Sequence, residues 1–370
     1  MKKHNALLIA VLFCFGLIFC ALAEVDTFNT YQWNKKNVLA GNGQVDTSPW
    51  FEWWYYKVVL PESGESFFFV YGVVNPWDNL HKMPGTRSYV GMGDFRNKLM
   101  AGEEYPVSAF AASYDDVSVE VNKNIASDKN LQGNLVNPDG KQFSWNMSVE
   151  KQWSYNATGW ATGAMLTNIE WYPAQAGALC SGTIVSDGRV HDFSGAPCYQ
   201  DRNWGESFPK WWAWVVSNKF ENFPDSVLAV GGGQPKALGT NNAIQGVSIG
   251  LRHKGVDYAF RPNYLDHVHM NINFGKWEMV AEDSMFINRI EISAWAPEEK
   301  FLDLKFMTPE GTIFHDYETL TGYVKVKLYH NVGSFFAPSW ELLDILESRF
   351  AGIEYGSKEI LSYTKRYHLL

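Results

Sequence analysis

Apolar side chains recur at every second position along much of this chain, and turn signals separate the runs. Val117, Val119 and Val121 share one face of a strand, as do Val247, Ile249 and Leu251, and Val324, Val326 and Leu328. Between such runs stand Asp139-Gly140, Asp187-Gly188, His253-Lys254-Gly255 and Pro309-Glu310-Gly311, residues suited to tight hairpin connections. Residues 51–60 and 67–74 read as two strands joined by Pro61-Glu62-Ser63-Gly64-Glu65-Ser66. A 3.6-residue period stands out only at residues 339–355, where Trp340, Leu343, Ile345 and Phe350 would line a C-terminal helix. Strands this closely spaced, with few helices between them, specify antiparallel sheets. The expected fold class is all-β: two antiparallel sandwich or barrel units with a terminal helix. At roughly 150–170 residues per β unit the length fits two such units, 24–195 and 196–370, with the boundary in the stretch 187–197. No sequence repeat marks a duplication.

The first residues read as a targeting device. Met1-Lys2-Lys3-His4-Asn5 is a positive n-region, residues 6–20 are apolar, and Ala21-Leu22-Ala23 supplies a small-x-small cleavage pattern before Glu24. Residues 1–23 are therefore expected to be a signal peptide and the protein to be exported. Bulky Phe19 before Cys20 argues against a lipoprotein signal. Of four cysteines, Cys14 and Cys20 leave with the leader, and Cys180 and Cys198 remain on either side of the Asp187-Gly188 turn. In an oxidising compartment that placement predicts a disulfide. Asn146-Met147-Ser148 and Asn156-Ala157-Thr158 are glycosylation sequons that apply only in a eukaryotic source.

With 46% hydrophobic and 19% charged residues the chain is too apolar to be disordered. A formal charge of −9 without a basic cluster excludes nucleic acid as the expected partner. Aromatics reach 16%, and they concentrate in two places. One is Trp50-Phe51-Glu52-Trp53-Trp54-Tyr55-Tyr56. The other is Tyr199-Gln200-Asp201-Arg202-Asn203-Trp204-Gly205-Glu206-Ser207-Phe208-Pro209-Lys210, continued by Trp211-Trp212-Ala213-Trp214. Core filling accounts for most of these rings. It does not account for Glu52 and Asp201, since an acid in an aromatic strand must be solvated, paired or neutral. Arg202 adjoins Asp201, but neighbours on a strand point to opposite faces.

The second cluster, with Asn218-Lys219-Phe220-Glu221 after it, resembles the acid-x-Asn-Trp-Gly-x-Ser-Phe-Pro block of the tocopherol cyclase family. Phe51-Glu52-Trp53-Trp54-Tyr55-Tyr56 is similar to that family's Phe-Glu-Gly-Trp-Tyr strand, and Gly231-Gly232-Gly233 to its later glycine run. Tyr199-x-Asp201-x-Asn203-Trp204-Gly205 resembles, more distantly, the carotenoid 1,2-hydratase group. The resemblance spans about Trp50 to Tyr329 and implies two lipocalin-like units with a hydrophobic ligand between them, a prenylated quinol or polyene. Trp53 departs from the family by standing where a Gly is usual, which would narrow or reshape that wall. A cyclase of this type protonates a prenyl alkene, and a phenol oxygen closes on the tertiary cation; no metal, nucleotide or redox cofactor is implied. Asp201 is the expected acid, Tyr199 its orienting partner and Glu52 a second titratable candidate. Asn203 is expected to hold the phenol oxygen, and Trp54, Trp204 and Trp214 to wall the pocket. Hydration of an isoprenoid double bond and simple lipid carriage are the alternatives, and a peripheral membrane contact is a further expected partner.

Three other patterns are set aside. Asp266-His267-Val268-His269 has the two-histidine spacing of cupin metal sites but no following Glu, so ordinary strand histidines are expected. Gly231-Gly232-Gly233-Gln234-Pro235-Lys236 lacks the Gly-Lys-Ser/Thr ending of a phosphate loop and reads as a turn. Asp187 and His191 lack a Gly-x-Ser-x-Gly elbow to complete a hydrolase triad.

Overall fold

The computed structural model describes residues 25–237, 244–362 and 366–369; the leader assigned to residues 1–23 lies outside the described residues. One sheet holds β1 (Phe51–Leu60), β2 (Glu65–Val74), β3 (Arg87–Asp94), β4 (Leu99–Tyr105), β5 (Phe110–Ala112), β6 (Ser118–Val121), β7 (Asn124–Ser127), β8 (Asn130–Val136), β9 (Gln142–Trp153), β10 (Ile169–Ser186) and β11 (Arg189–Gly205). Its spatial order is β4-β3-β2-β1-β11-β10-β9-β8-β7-β6-β5. The second holds β12 (Trp211–Ser217), β13 (Val227–Gly233), β14 (Gly246–His253), β15 (Val256–Phe260), β16 (His267–Asn273), β17 (Lys276–Glu282), β18 (Asn288–Trp295), β19 (Leu302–Met307), β20 (Ile313–Asn331), β21 (Trp340–Ser357) and β22 (Arg366–Leu369). Its order is β15-β14-β13-β12-β21-β20-β18-β17-β16-β22, with β19 added on β20.

The two sheets follow one path. A four-strand meander (β1–β4, β12–β15) leads outward, and the chain then returns until a last long strand (β11, β21) pairs with the first. This shared plan exists without a legible sequence repeat, because a sheet needs matching alternation and turns, not matching residues. Each sheet curls around its own core. Trp145 of β9 reaches across the first to Tyr71 of β2, its Nε1 donating to the hydroxyl at 2.7 Å. Leu228, Ile249, Met270, Ile292 and Val326 fill the second. The all-β class with two antiparallel units is thus the fold adopted, and the three alternating runs named above (117–121, 247–251, 324–328) are all buried inward. Asp187 and Gly188, at φ 51° and 78°, make the two-residue turn between β10 and β11. Cys180 and Cys198 on those strands are joined in a disulfide, their Cα atoms 5.8 Å apart.

Three expectations need correction. Residues 339–355 are not a helix: β21 is an 18-residue strand paired with β12 on one side and β20 on the other. Register shifts in the β20–β21 ladder skip residues such as Phe350 and put its apolar positions out of phase with strict alternation. That irregular spacing imitates a helical stripe. The boundary also falls later, in residues 206–210 between the sheets, because the Asp187-Gly188 turn belongs inside a long hairpin whose second strand runs on to Gly205. Gly231-Gly232-Gly233 is no turn but the end of strand β13.

Candidate active site

Alternation divides β1 and β11 between two environments. Even-numbered residues of β1 (Trp54, Tyr56, Val58) enter the core of the first sheet, whereas Phe51, Trp53 and Tyr55 point outward with Tyr199 of β11. The second sheet does the same: Trp211, Ala213 and Val215 of β12 face its core, and Trp214 and Val216 face out. The two outward faces pack on each other. Tyr199 meets Trp214 with ring centroids 5.5 Å apart, Tyr55 meets Trp214 at 5.8 Å, and Trp53 meets Trp212 at 6.0 Å. Between these faces lies a cavity of about 480 Å³, lined from one sheet by Trp53, Tyr55, Trp171, Asp201 and Asn203 and from the other by Trp212, Trp214, Asp316 and Glu354. The volume is that of a small-molecule site.

Glycine shapes the floor. A Cβ on Gly231 would lie 2.7 Å from the Trp171 ring, so the bare backbone of β13 is what lets that indole lie flat in the cavity wall. Trp53, the departure from the family pattern, stacks on Phe306 at 5.3 Å and forms part of the wall.

Asp201 is buried on this wall, 5% exposed. Its Oδ2 accepts from Trp171 Nε1 at 2.8 Å and from the Tyr199 hydroxyl at 2.7 Å, and Trp214 Nε1 donates to that hydroxyl at 3.2 Å. Burial pushes the Asp201 carboxyl up to about 7, against the opposing pull of these donors. The group therefore changes protonation near neutrality, where an acid–base catalyst is most effective. Burial also raises the Tyr199 phenol, which stays a neutral donor.

Asp201, Tyr199, Asn203 and Trp214 are thus brought together at the cavity; Glu52, Trp54 and Trp204 are not. The one-residue offset in the strand turns those three into the first sheet's interior. There the Glu52 carboxylate pairs with the Arg202 guanidinium, both fully buried. Glu52 Oε1 also accepts from the backbone N–H groups of Gln32 at 3.0 Å and Trp33 at 2.6 Å, and from Trp50 Nε1 at 2.9 Å. Burial pushes the Glu52 carboxyl up, and the guanidinium and these donors oppose it. Arg202 lies between Trp54 and Trp204, 4.5 and 4.7 Å from their ring centroids. This is a structural ion pair under the cavity, not part of its lining.

The sequence reading missed Tyr55, Trp171, Trp212, Asp316, Glu318 and Glu354. Asp316 and Glu318 carried a signal, two acids spaced to one face of the otherwise apolar run Phe314-x-Asp316-x-Glu318-x-Leu320. These acids are already engaged by Tyr55 and Trp212 and sit beside Lys57, a setting suited to held protons more than to a divalent cation. His267 and His269 are exposed on β16, away from the cavity lining, with His267 stacked on Phe286 at 5.4 Å.

Comparison with known proteins agrees with the resemblance carried by the central block. The tocopherol cyclase-like family profile matches residues 118–357. A rice (Oryza sativa subsp. japonica) protein named "Probable tocopherol cyclase, chloroplastic" is 26% identical over 305 residues, covering 67% of this chain and 64% of its own. The chloroplastic tocopherol cyclase of maize (Zea mays) is 25% identical over 299 residues, covering 66% and 62%. The chain thus spans somewhat less than two thirds of the length of these relatives. Among solved structures, kievitone hydratase from Nectria haematococca aligns over 83% of this chain and 88% of its own, at 10% identity and a TM-score of 0.46. More than half of the chain, including both β20 and β21 and the Tyr199–Lys210 block, falls within the family match, and the protein belongs to the tocopherol cyclase-like family.

Proposed function

We propose that this protein binds a prenylated hydroquinone in the cavity between its sheets and cyclises it to a chromanol by acid catalysis. The observation that carries this reading is a carboxyl group, Asp201, set into an aromatic cavity wall and poised to change protonation near neutrality. Protonation of the trisubstituted alkene closest to the aromatic ring gives a tertiary cation. The faces of Trp53, Trp171, Trp212 and Trp214 offer that cation the negative side of their quadrupoles. The neighbouring phenol oxygen then closes the ring. Tyr199 fixes the carboxyl orientation through its 2.7 Å hydrogen bond, and Asn203 is the nearest lining amide on the same strand to hold the phenol. The apolar lining limits water, which would capture the same cation as a tertiary alcohol.

The test uses geranylgeranyl hydroquinone and the purified protein. Quenching of tryptophan fluorescence with conversion to the chromanol is the expected result. A tertiary alcohol as the sole product would reassign the site to hydration, and saturable binding without any product would make the protein a lipid carrier. No quenching and no product would remove the ligand class altogether.

A further inference from the structure

The cavity has a second acidic wall for which Asp201 does not account. Asp316 and Glu318 project from β20 and Glu354 from β21, with one carboxylate oxygen of each within 4.8 Å of the other two. Glu318 and Glu354 stand directly opposite in the ladder, so charges on both would repel. One carboxylate oxygen of Asp316 thus lies within 4.8 Å of one of Glu354, and two carboxylates this close favour a proton held between them. Trp212 Nε1 donates to Asp316 at 3.3 Å, and the Tyr55 hydroxyl donates to Glu318. The other oxygen of Glu318, fully buried, has no hydrogen-bond partner among the described residues. The charged and titratable groups around the three acids are Asp201 and Tyr199 from β11, Tyr55 and Lys57 from β1, and Asp303 from β19. Of the three acids, Asp316 and Glu354 line the cavity, across from Asp201.

We propose that the Asp316–Glu354 pair is a second proton station, the base that takes the hydroxyl proton of the substrate as its oxygen closes on the cation. This rests on the cyclase reading above, since only a reaction that forms a C–O bond at a cation releases such a proton. The balance is complete without a co-reactant. The Asp201 O–H bond breaks as the alkene C–H bond forms. The substrate O–H bond breaks as the C–O bond forms, and its proton joins the one already shared by the pair. One proton then returns to Asp201 through the cavity when product leaves, and substrate and product are isomers. Burial and mutual repulsion hold the carboxyls of Asp316, Glu318 and Glu354 well above the usual carboxylate range. A single acid cannot both deliver a proton to one end of the substrate and collect one from the other in the same step; two stations on facing walls can.

The experiment follows hydrogen exchange into recovered substrate. Full-length wild-type, Glu354→Gln, Asp316→Asn and Asp201→Asn proteins are incubated with geranylgeranyl hydroquinone in D₂O, with circular dichroism as the check on folding. Removing the base should slow chromanol formation by about 10–10²-fold. The cation then lives longer and reverts to alkene more often than it is trapped; where the bond beside it rotates first and Asp201 takes the original hydrogen in place of the delivered deuteron, unreacted hydroquinone gains deuterium at the protonated alkene carbon. Asp316→Asn is the second route to the same outcome, should Glu354→Gln fail to fold. Asp201→Asn should slow exchange and closure together, by about 10²–10⁴-fold. Ring closure at the wild-type rate in both pair variants, or loss of exchange in step with closure, overturns the proposal. A wild-type protein that neither exchanges nor cyclises contradicts the cyclase reading itself, and the proposal falls with it.

Discussion

Asp201→Asn should lower the rate of chromanol formation by about 10²–10⁴-fold while leaving hydroquinone binding intact. The amide keeps the size of the carboxyl and still accepts hydrogen bonds at its oxygen from Trp171 and Tyr199. It removes only the transferable proton, so the loss belongs to turnover and not to the fluorescence-detected affinity. Tyr199→Phe should cost less, because it removes an orienting donor and leaves the acid in place. The wild-type rate should also fall as pH rises through about 7, since burial places the Asp201 carboxyl there and only its protonated form donates. A pH profile that rises through neutrality, or a fully active Asp201→Asn protein, would assign the acid elsewhere in the cavity.

A comparably large effect, of a different kind, is expected at the buried ion pair. Arg202→Met leaves the Glu52 carboxylate without its guanidinium inside the first sheet and should destabilise the fold by about 3–5 kcal/mol. Glu52→Gln should destabilise in the same direction, with Arg202 left between Trp54 and Trp204 and without its counter-ion. Chemical denaturation reads both. Because neither side chain lines the cavity, the folded fraction of Glu52→Gln should still convert substrate. If Glu52→Gln instead kept full stability and lost turnover, Glu52 would be the catalytic carboxylate.

These two acids show how far the residues alone could carry the site. Glu52 and Asp201 were equally conspicuous as acids in aromatic strands. What separates them is the register of β1 against β11, Glu52 opposite Trp204 and Tyr55 opposite Asp201, together with which face of the sheet meets a neighbour. Alternation showed that Tyr199, Asp201 and Asn203 share a face. It could not say that this was the outer face, nor that a second sheet covered it. Trp54 and Trp204 were misplaced for the same reason: both faces of their strands are aromatic, since one packs a core and the other a cavity. Glu354 was hidden by the misreading of β21 as a helix, and without it the pairing with Asp316 had no partner in view. The hairpin turns, the two units and the disulfide were legible because each depends on local spacing. The second acidic wall was not, because it forms only when β20 and β21 pair and face the first sheet.

In the proposed reaction Asp201 protonates the prenyl double bond inside the cavity. The position of solvent hydrogen in the product tests it most directly. When the reaction with geranylgeranyl hydroquinone is run in D₂O, mass spectrometry and NMR should find one deuterium, on the ring carbon adjacent to the new C–O bond. Chromanol formed without deuterium at that carbon would contradict protonation as the initiating step.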